Sequence, residues 1–259
     1  MQPLRAWAIV RRTAVLGVDT LFASSMLKRA LARPGLSAEE KQAEQDRRTR
    51  AWALGLLRTF GIEDDVEGTL PEGPFLMVAN HRSAIDIGLM LAHADVAFVA
   101  RADMANWPIF GYASRAVGTV FVDRSASASG AATLRELVDQ LKGGKSIAIF
   151  PEGHTHEGDL VRTFQPGIAL AAFMAKVPVV PVGLAYETGS PTAYVDMSFA
   201  EHVLRVAGSP GARVSMCIGA PIAPPTREER AAFTERVHCA VQLLVNRARL
   251  RVDAARYQR

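Results

Sequence analysis

The sequence predicts an α/β domain: a mixed, largely parallel sheet flanked by helices, with an N-terminal helical hairpin. Three observations predict it. From residue 74 onward, short β-branched runs alternate with longer stretches of helical periodicity, the pattern of strand–helix–strand units. Before residue 62, apolar residues recur instead at helical spacing in two long segments. Polar motifs also follow directly on three of the apolar runs, as expected where buried parallel strands deliver residues to one edge of a sheet.

Residues 3–31 read as the first helix, with Leu4, Trp7, Ala8, Val15, Val18, Phe22 and Met26 on one apolar face. Arg5 and Arg12 flank that face, and Arg11 intrudes on it and must snorkel. A turn through Pro34 and Gly35 leads to Ser37 and Glu40, which form a capping box opening a second helix over 38–60. Trp52, Leu54, Leu56, Leu57 and Phe60 supply its apolar side. We read 1–62 as an amphipathic membrane-association motif and 63–259 as the α/β domain. A hairpin packed on the core is the plainer reading of the first segment. Strands are expected at 74–79, 96–100, 119–123, 146–150, 178–186 and 213–218. Helices are expected at 83–93, 108–117, 126–142, 166–176, 199–207 and, after Pro224-Pro225, 226–254. Two prolines in Val177–Val182 point to an edge strand or to the wall of an apolar groove.

Charge is unevenly spread. Residues 1–58 carry a net +6, residues 59–225 a net −6 and residues 226–259 a net +4. A basic, apolar N-terminal segment on an acidic body favours an anionic membrane surface as partner. No nucleic-acid motif accompanies the basic ends, so nucleic acid is not an expected partner. Every apolar stretch is interrupted before the roughly 18 residues of a spanning helix, and no uninterrupted apolar run precedes a signal cleavage site. The expectation is a peripheral protein on the cytoplasmic face of the membrane. Cys217 and Cys239 lie far apart, and buried free thiols in a reducing compartment are the default.

The chemistry concentrates at the strand ends. Asn80-His81-Arg82-Ser83-Ala84-Ile85-Asp86 follows the run Phe75–Ala79 and sets a histidine and a carboxylate five residues apart. If a helix opens at Ser83, Asp86 can fold back onto the imidazole. It would then fix one ring nitrogen and leave the other to take a proton. With no serine or cysteine nucleophile beside it, the pair suits activation of a hydroxyl brought by the substrate. A capped helix start with a surface histidine is the bland alternative. Arg124, ending Gly118–Arg124, offers a guanidinium fork for an anionic headgroup, or a surface pair with Asp123. Glu152 and Gly153 end the next strand: the glycine permits a sharp turn, and the carboxylate could bind a polyol, pair with Arg124 or face solvent. His154 and His156 have no third ligand at telling spacing, so no metal is expected. The absence of a Gly-x-Ser-x-Gly elbow argues against the common serine esterases.

The first of these segments resembles the NHxSxxD block of the glycerolipid acyltransferases related to lysophosphatidate acyltransferase. Gly118–Arg124, Phe150–Gly153 and Val177–Val182 resemble that family's second, third and fourth blocks in the same order. Arg101–Met104 and Trp107–Gly111 resemble the segment joining the first two. The likeness spans about residues 72–185. It implies an α/β domain, often with an N-terminal helical membrane motif, and transfer of an acyl chain from acyl-CoA or acyl carrier protein to a lysolipid hydroxyl without a cofactor. It implies His81 as general base, Asp86 as its orienter, and Asn80, Ser83, Arg124, Glu152, Gly153 and Thr155 as substrate-binding residues. The expected acceptor is 1-acylglycerol-3-phosphate, giving phosphatidate. Two departures qualify it: His154-Thr155-His156 stands where Thr-Arg-Ser is usual, and Gln165 where a lysine is common. A threonine at 155 resembles relatives that acylate lyso-ornithine lipid, the alternative acceptor. A thioesterase using the same pair ranks third.

Overall fold

In the computed structural model, residues 3–106, 114, 119–122, 129–165 and 167–255 are described. Helix α1 (Pro3–Leu31) turns into α2 (Ala38–Phe60), whose start carries the expected capping box: the Ser37 hydroxyl accepts from the Glu40 amide, and the Glu40 carboxylate accepts from the Ser37 amide. Gly61, at φ 68°, ends α2 in the left-handed conformation that glycine adopts without strain. The strands are β1 (Ile62–Glu67), β2 (Leu76–Ala79), β3 (Val96–Arg101), β4 (Val120–Val122), β5 (Ser146–Ile149), β6 (Val179–Tyr186) and β7 (Ala212–Ile218). Between and after them lie α3 (Ile85–His93), a 3₁₀ turn (Ala102–Asn106), α4 (Ser129–Lys142), α5 (Ile168–Ala175), α6 (Phe199–Ala207) and α7 (Arg230–Ala254). The helix expected at 108–117 falls almost wholly outside the described residues.

The seven strands form one sheet in the order β1-β7-β6-β2-β5-β3-β4, parallel throughout except where β6 meets β7. Fully buried runs such as Leu76–Ala79 and Val179–Tyr186 are what a sheet covered on both faces requires. On one face α2, α3 and α6 pack with Met77, Ala79, Val180 and Val182. On the other, α4, α5 and α7 pack with Leu76, Val78, Ile147 and Val179.

β1 was not anticipated. Its Ile-Glu-Asp-Asp-Val-Glu sequence lacks a strand signal, and it pairs along β7 as an acidic edge strand, ion-paired to Arg213, Arg247 and Arg251. The edge position expected for the prolines of β6 is corrected: β6 lies between β7 and β2. Pro181 is tolerated there because it sits opposite Gly219, just past the end of β7. Its carbonyl still accepts from the Gly219 amide, and a side chain at 219 would collide with its ring.

The hairpin packs through its inner side, where Leu27, Ala30, Ala53, Leu57 and Phe60 are buried and Trp52 Nε1 donates to Thr20 Oγ1. Its outer side leaves Trp7, Val10, Val18, Leu21 and Phe22 exposed, with the Arg11 guanidinium 5.5 Å from the Trp7 ring centre. Arg12 turns inward and donates to the carbonyls of Ala207 and Ser209 at the C-terminal end of α6. Among the described residues no helix is long and apolar enough to cross a membrane. Cys217 is buried as expected, whereas Cys239 is exposed on α7.

Candidate active site

β2 and β5 end side by side and parallel, so the segments that follow them meet at the carboxyl edge of the sheet. His81 lies two residues beyond β2, and its ring stacks on Phe150, the first residue after β5, with centroids 3.9 Å apart and planes 10° from parallel. Asp86 sits in the first turn of α3 and folds back as anticipated: its Oδ2 lies 2.8 Å from His81 Nδ1. That leaves Nε2 as the ring nitrogen available to a substrate.

The carboxylate of Asp86 is fully buried and heavily bonded. Oδ2 also accepts from the backbone amides of Arg82 and Ser83, at 2.7 and 2.9 Å, and Oδ1 accepts from the Tyr186 hydroxyl at 2.5 Å. Such donors hold a carboxylate in place without solvent. Burial, and then the charge of Asp86 and the bond to it, raise the Tyr186 phenol well above its ordinary range, so the tyrosine stays protonated and donates. Behind Asp86, the Ser83 hydroxyl accepts from the Ile85 amide and lies 3.3 Å from His202 Nε2. His202 comes from α6 and stacks on Tyr194. Burial, helped by Arg205, pushes its pKa down to about 4, so this second imidazole is neutral.

The segment after β5 is tied to the first by another buried carboxylate. Glu152 Oε2 accepts from the His81 amide at 2.6 Å and Oε1 from the Arg162 amide at 2.7 Å. Burial raises the Glu152 pKa, against the pull of those amides and of His156 and His81. The His156 amide donates to the His81 carbonyl, adding a second stitch. Farther along, Asp159 receives Arg82 from the first segment and a two-bonded fork from Arg249 of α7. Partial burial works to raise the Asp159 carboxyl, but Arg249 and then Arg82 hold it below its ordinary value.

Beside His81 opens an apolar cavity of about 1520 Å³, walled by Leu56, Ile87, Leu91, Phe98, Leu134 and Val203 among others. Typical small-molecule pockets run to about 300–1,000 Å³, so there is room here for more than one lipid chain. A histidine poised against a buried carboxylate at the mouth of such a cavity fits base-assisted acyl transfer.

Across 204 residues the chain is 33% identical to a lyso-ornithine lipid O-acyltransferase of Pseudomonas aeruginosa, covering 77% of this chain and 78% of that one. The chain belongs to the acyltransferase family. The Acyltransferase family model matches residues 62–185, from β1 to the end of β6. A 1-acyl-sn-glycerol-3-phosphate acyltransferase of Neisseria gonorrhoeae is 26% identical over 208 residues, 78% of this chain and 82% of that one. The crystal structure of the 1-acyl-sn-glycerophosphate acyltransferase PlsC of Thermotoga maritima superposes with a TM-score of 0.77, covering 95% and 97% of the two chains at 23% identity. The fold is therefore shared, helical hairpin included.

Within this acyltransferase the residues named from sequence are used in different ways. Asn80 is buried, and its side-chain amide bonds the Leu184 backbone in both directions, extending the β2–β6 ladder by one side chain. Ser83 faces inward to Ile85 and His202. The Thr155 hydroxyl donates to the Tyr194 carbonyl. Gly153, at φ 81°, makes the tight turn its sequence required and lines the cavity. Arg124 lies outside the described residues. Phe150, Tyr186 and His202 were not singled out from sequence. A ring just past the end of β5 and a tyrosine ending β6, both far along the chain from His81, carry no local signal of their contact with the pair.

Proposed function

We propose that this acyltransferase moves a fatty acyl chain from an acyl thioester, on acyl-CoA or acyl carrier protein, to the hydroxyl of lyso-ornithine lipid. His81 Nε2 takes the proton of the acceptor hydroxyl while Asp86 holds Nδ1 and stabilises the imidazolium that forms. The freed oxygen attacks the thioester carbonyl, the tetrahedral intermediate expels the thiolate, and the imidazolium returns its proton to sulfur. A thioester is already activated, so this acid–base exchange needs no cofactor.

The observation that carries the acceptor assignment is the charge of the segment after β5. Residues 151–165 hold Glu152, Glu157 and Asp159 against Arg162 alone, and Thr155 and Gln165 are uncharged. The nearby cations Arg82 and Arg249 are drawn into Asp159 rather than offered to a headgroup. With Glu152 buried and Asp159 matched by those two arginines, the segment presents Glu157 and Arg162 at its surface. This near-neutral rim lacks the cluster of cations that favours a phosphate monoester, and Glu157 suits the amine of an ornithine headgroup. The Pseudomonas relative, named for lyso-ornithine lipid, supports this reading.

A second reading takes 1-acylglycerol-3-phosphate as acceptor. Arg162 is exposed on the same segment, and the Neisseria relative is named for that activity. Competition decides between them: purified protein is offered both lysolipids with a labelled acyl thioester, and products are identified by mass. We expect kcat/KM at least about tenfold higher for lyso-ornithine lipid, the factor of roughly 1.4 kcal/mol that one favourable charge contact supplies. A preference for the phosphate acceptor overturns the assignment. Free fatty acid released equally with and without lysolipid overturns acyl transfer in favour of hydrolysis.

The exposed face of α1, with Trp7, Val10, Val18, Leu21 and Phe22 beside Arg11, supports a peripheral position on anionic lipid at the cytoplasmic face of a membrane. Both lipid substrates would meet the enzyme there.

A further inference from the structure

The Asp86 carboxylate is asymmetric. Oδ2 accepts from His81, Arg82 and Ser83, whereas among the described residues Oδ1 accepts from Tyr186 alone. We infer that Tyr186 is a positioning residue for acyl transfer: its hydroxyl fixes the rotation of Asp86 and draws charge from the carboxylate, and so sets how basic His81 is. This rests on the reading of His81 as the base.

Geometry carries the argument. Tyr186 is the last residue of β6, in the sheet directly beside β2, and its ring is buried in the core. The phenol is held by the sheet and Asp86 by the first turn of α3, so their bond joins two elements of the packed core. With Oδ1 pinned, the carboxylate cannot swing Oδ2 away from the imidazole. With Oδ1 free, only the two backbone amides would resist rotation.

The second function is electrostatic. A carboxylate that gives part of its charge to a phenol stabilises an imidazolium less than a bare one does, so removing the phenol should make the pair hold a proton more tightly. Among the described residues, the groups facing this pair come from α3, α6, β6 and the segment after β5. His81 meets Asp86 from α3, the Glu152 carboxylate and His156 from the segment after β5, and the ring of Phe150. Asp86 meets Tyr186 from β6, with Ser83 and then His202 of α6 behind it. His202 is kept uncharged by burial, so it does not compete with His81 for the carboxylate.

The test uses the full chain with ¹⁵N-labelled histidine, the His81 ring signals being assigned by their loss in His81→Ala. In Tyr186→Phe we expect kcat to fall about tenfold with both KM values unchanged, as one charge-assisted hydrogen bond is lost. The His81 titration and the acid limb of the pH–rate profile should both move up by roughly half a unit to one unit. Site-specific 3-fluorotyrosine at 186, a stronger donor, should move both down. A folded phenylalanine variant with an unchanged His81 titration overturns the inference, as does one whose loss lies in KM. If the phenylalanine variant fails to fold, fluorotyrosine decides: a downward shift supports the inference and no shift overturns it. Turnover by His81→Ala close to wild type would instead defeat the base assignment. A silent Tyr186 beside an inactive His81→Ala defeats only the present inference.

Discussion

Asp86 and Glu152 are two buried carboxylates at neighbouring strand ends, both bonded to backbone amides, yet they do different work. Asp86 takes amides from its own turn, at Arg82 and Ser83, and then reaches a side chain, the His81 imidazole. Glu152 takes one amide from the distant segment after β2, at His81, and one from farther along its own segment, at Arg162, and reaches no other side chain among the described residues by hydrogen bond. One carboxylate is aimed at the imidazole we propose as the base; the other joins the segments after β2 and β5 and so holds His81 in place. An acid in a recognised motif is thus assigned by where its donors come from, and the motif alone does not say which role it fills.

Substitution at the pair should produce the largest effects. His81→Ala is expected to lower turnover about 10²–10⁴-fold with the fold intact by circular dichroism, since a positioned general base is lost and little packing goes with it. Asp86→Asn should fall in the same range, because an amide neither stabilises an imidazolium nor secures the tautomer. Full activity in either would erase the contrast with Glu152.

Glu152→Gln is the matching test on the other side. One of its two backbone partners would face an NH₂ group, at a cost of about 1–3 kcal/mol, so the melting temperature should drop by roughly 2–4 °C per kcal/mol. Relief of the burial of a charge offsets part of this. Turnover should fall only about tenfold, through a displaced His81. A loss as deep as that of His81→Ala would show that Glu152 shares in the chemistry.

Asp159→Asn strips Arg82 and Arg249 of their common partner. We expect about 1–3 kcal/mol of lost stability at neutral pH, typical of hydrogen bonds to charged groups. The sign with pH follows from the lowered folded-state pKa: stabilisation by Asp159 is complete above its ordinary value of 3.8 and disappears as the pH falls through the lower folded value. Denaturant unfolding of wild type and variant should therefore converge in acid. A constant difference across pH would place the effect outside this ion cluster.

The smallest effect concerns the outer face of α1. Reversing Arg11 to glutamate should weaken binding to vesicles of anionic lipid about fivefold or more at low salt, from roughly 1 kcal/mol per basic residue, and the gap should close in high salt. Equal binding by both proteins would make the hairpin a packing element alone.

The local parts of this site were legible in the chain. A His and an Asp five residues apart across a strand-to-helix turn are brought together by that turn, and the alternation of buried strands with helices gave the sheet. The capping box at Ser37 placed the start of α2. What escaped was non-local or chemically disguised. Tyr186 approaches Asp86 from 100 residues away, and nothing around it in sequence distinguishes it from a core tyrosine. β1 is disguised by its acids, which make sense only beside the arginines of β7 and α7. The prolines of β6 suggested an edge because the chain does not announce that β7 stops one residue short of Pro181. Asn80 read as a ligand-facing amide, although its two bonds to Leu184 spend it on the sheet.

Arg12 carries a consequence for how this enzyme can be cut or recombined. It reaches the body and caps α6, beside Arg5, whose side chain lies against Gly208, and Leu16, Thr20 and Trp52 of the hairpin are themselves part of the cavity wall. The hairpin is therefore not a detachable tag. Removing it would open the cavity, uncover the side of α3 around Gly88 on which Leu56 and Leu57 pack, and release the helix that bears His202, so a truncated protein would confound loss of the proposed membrane contact with loss of the site. In this chain the hairpin and the chamber are one piece of architecture, and any proposed membrane contact has to be tested on the outer surface of α1, residue by residue.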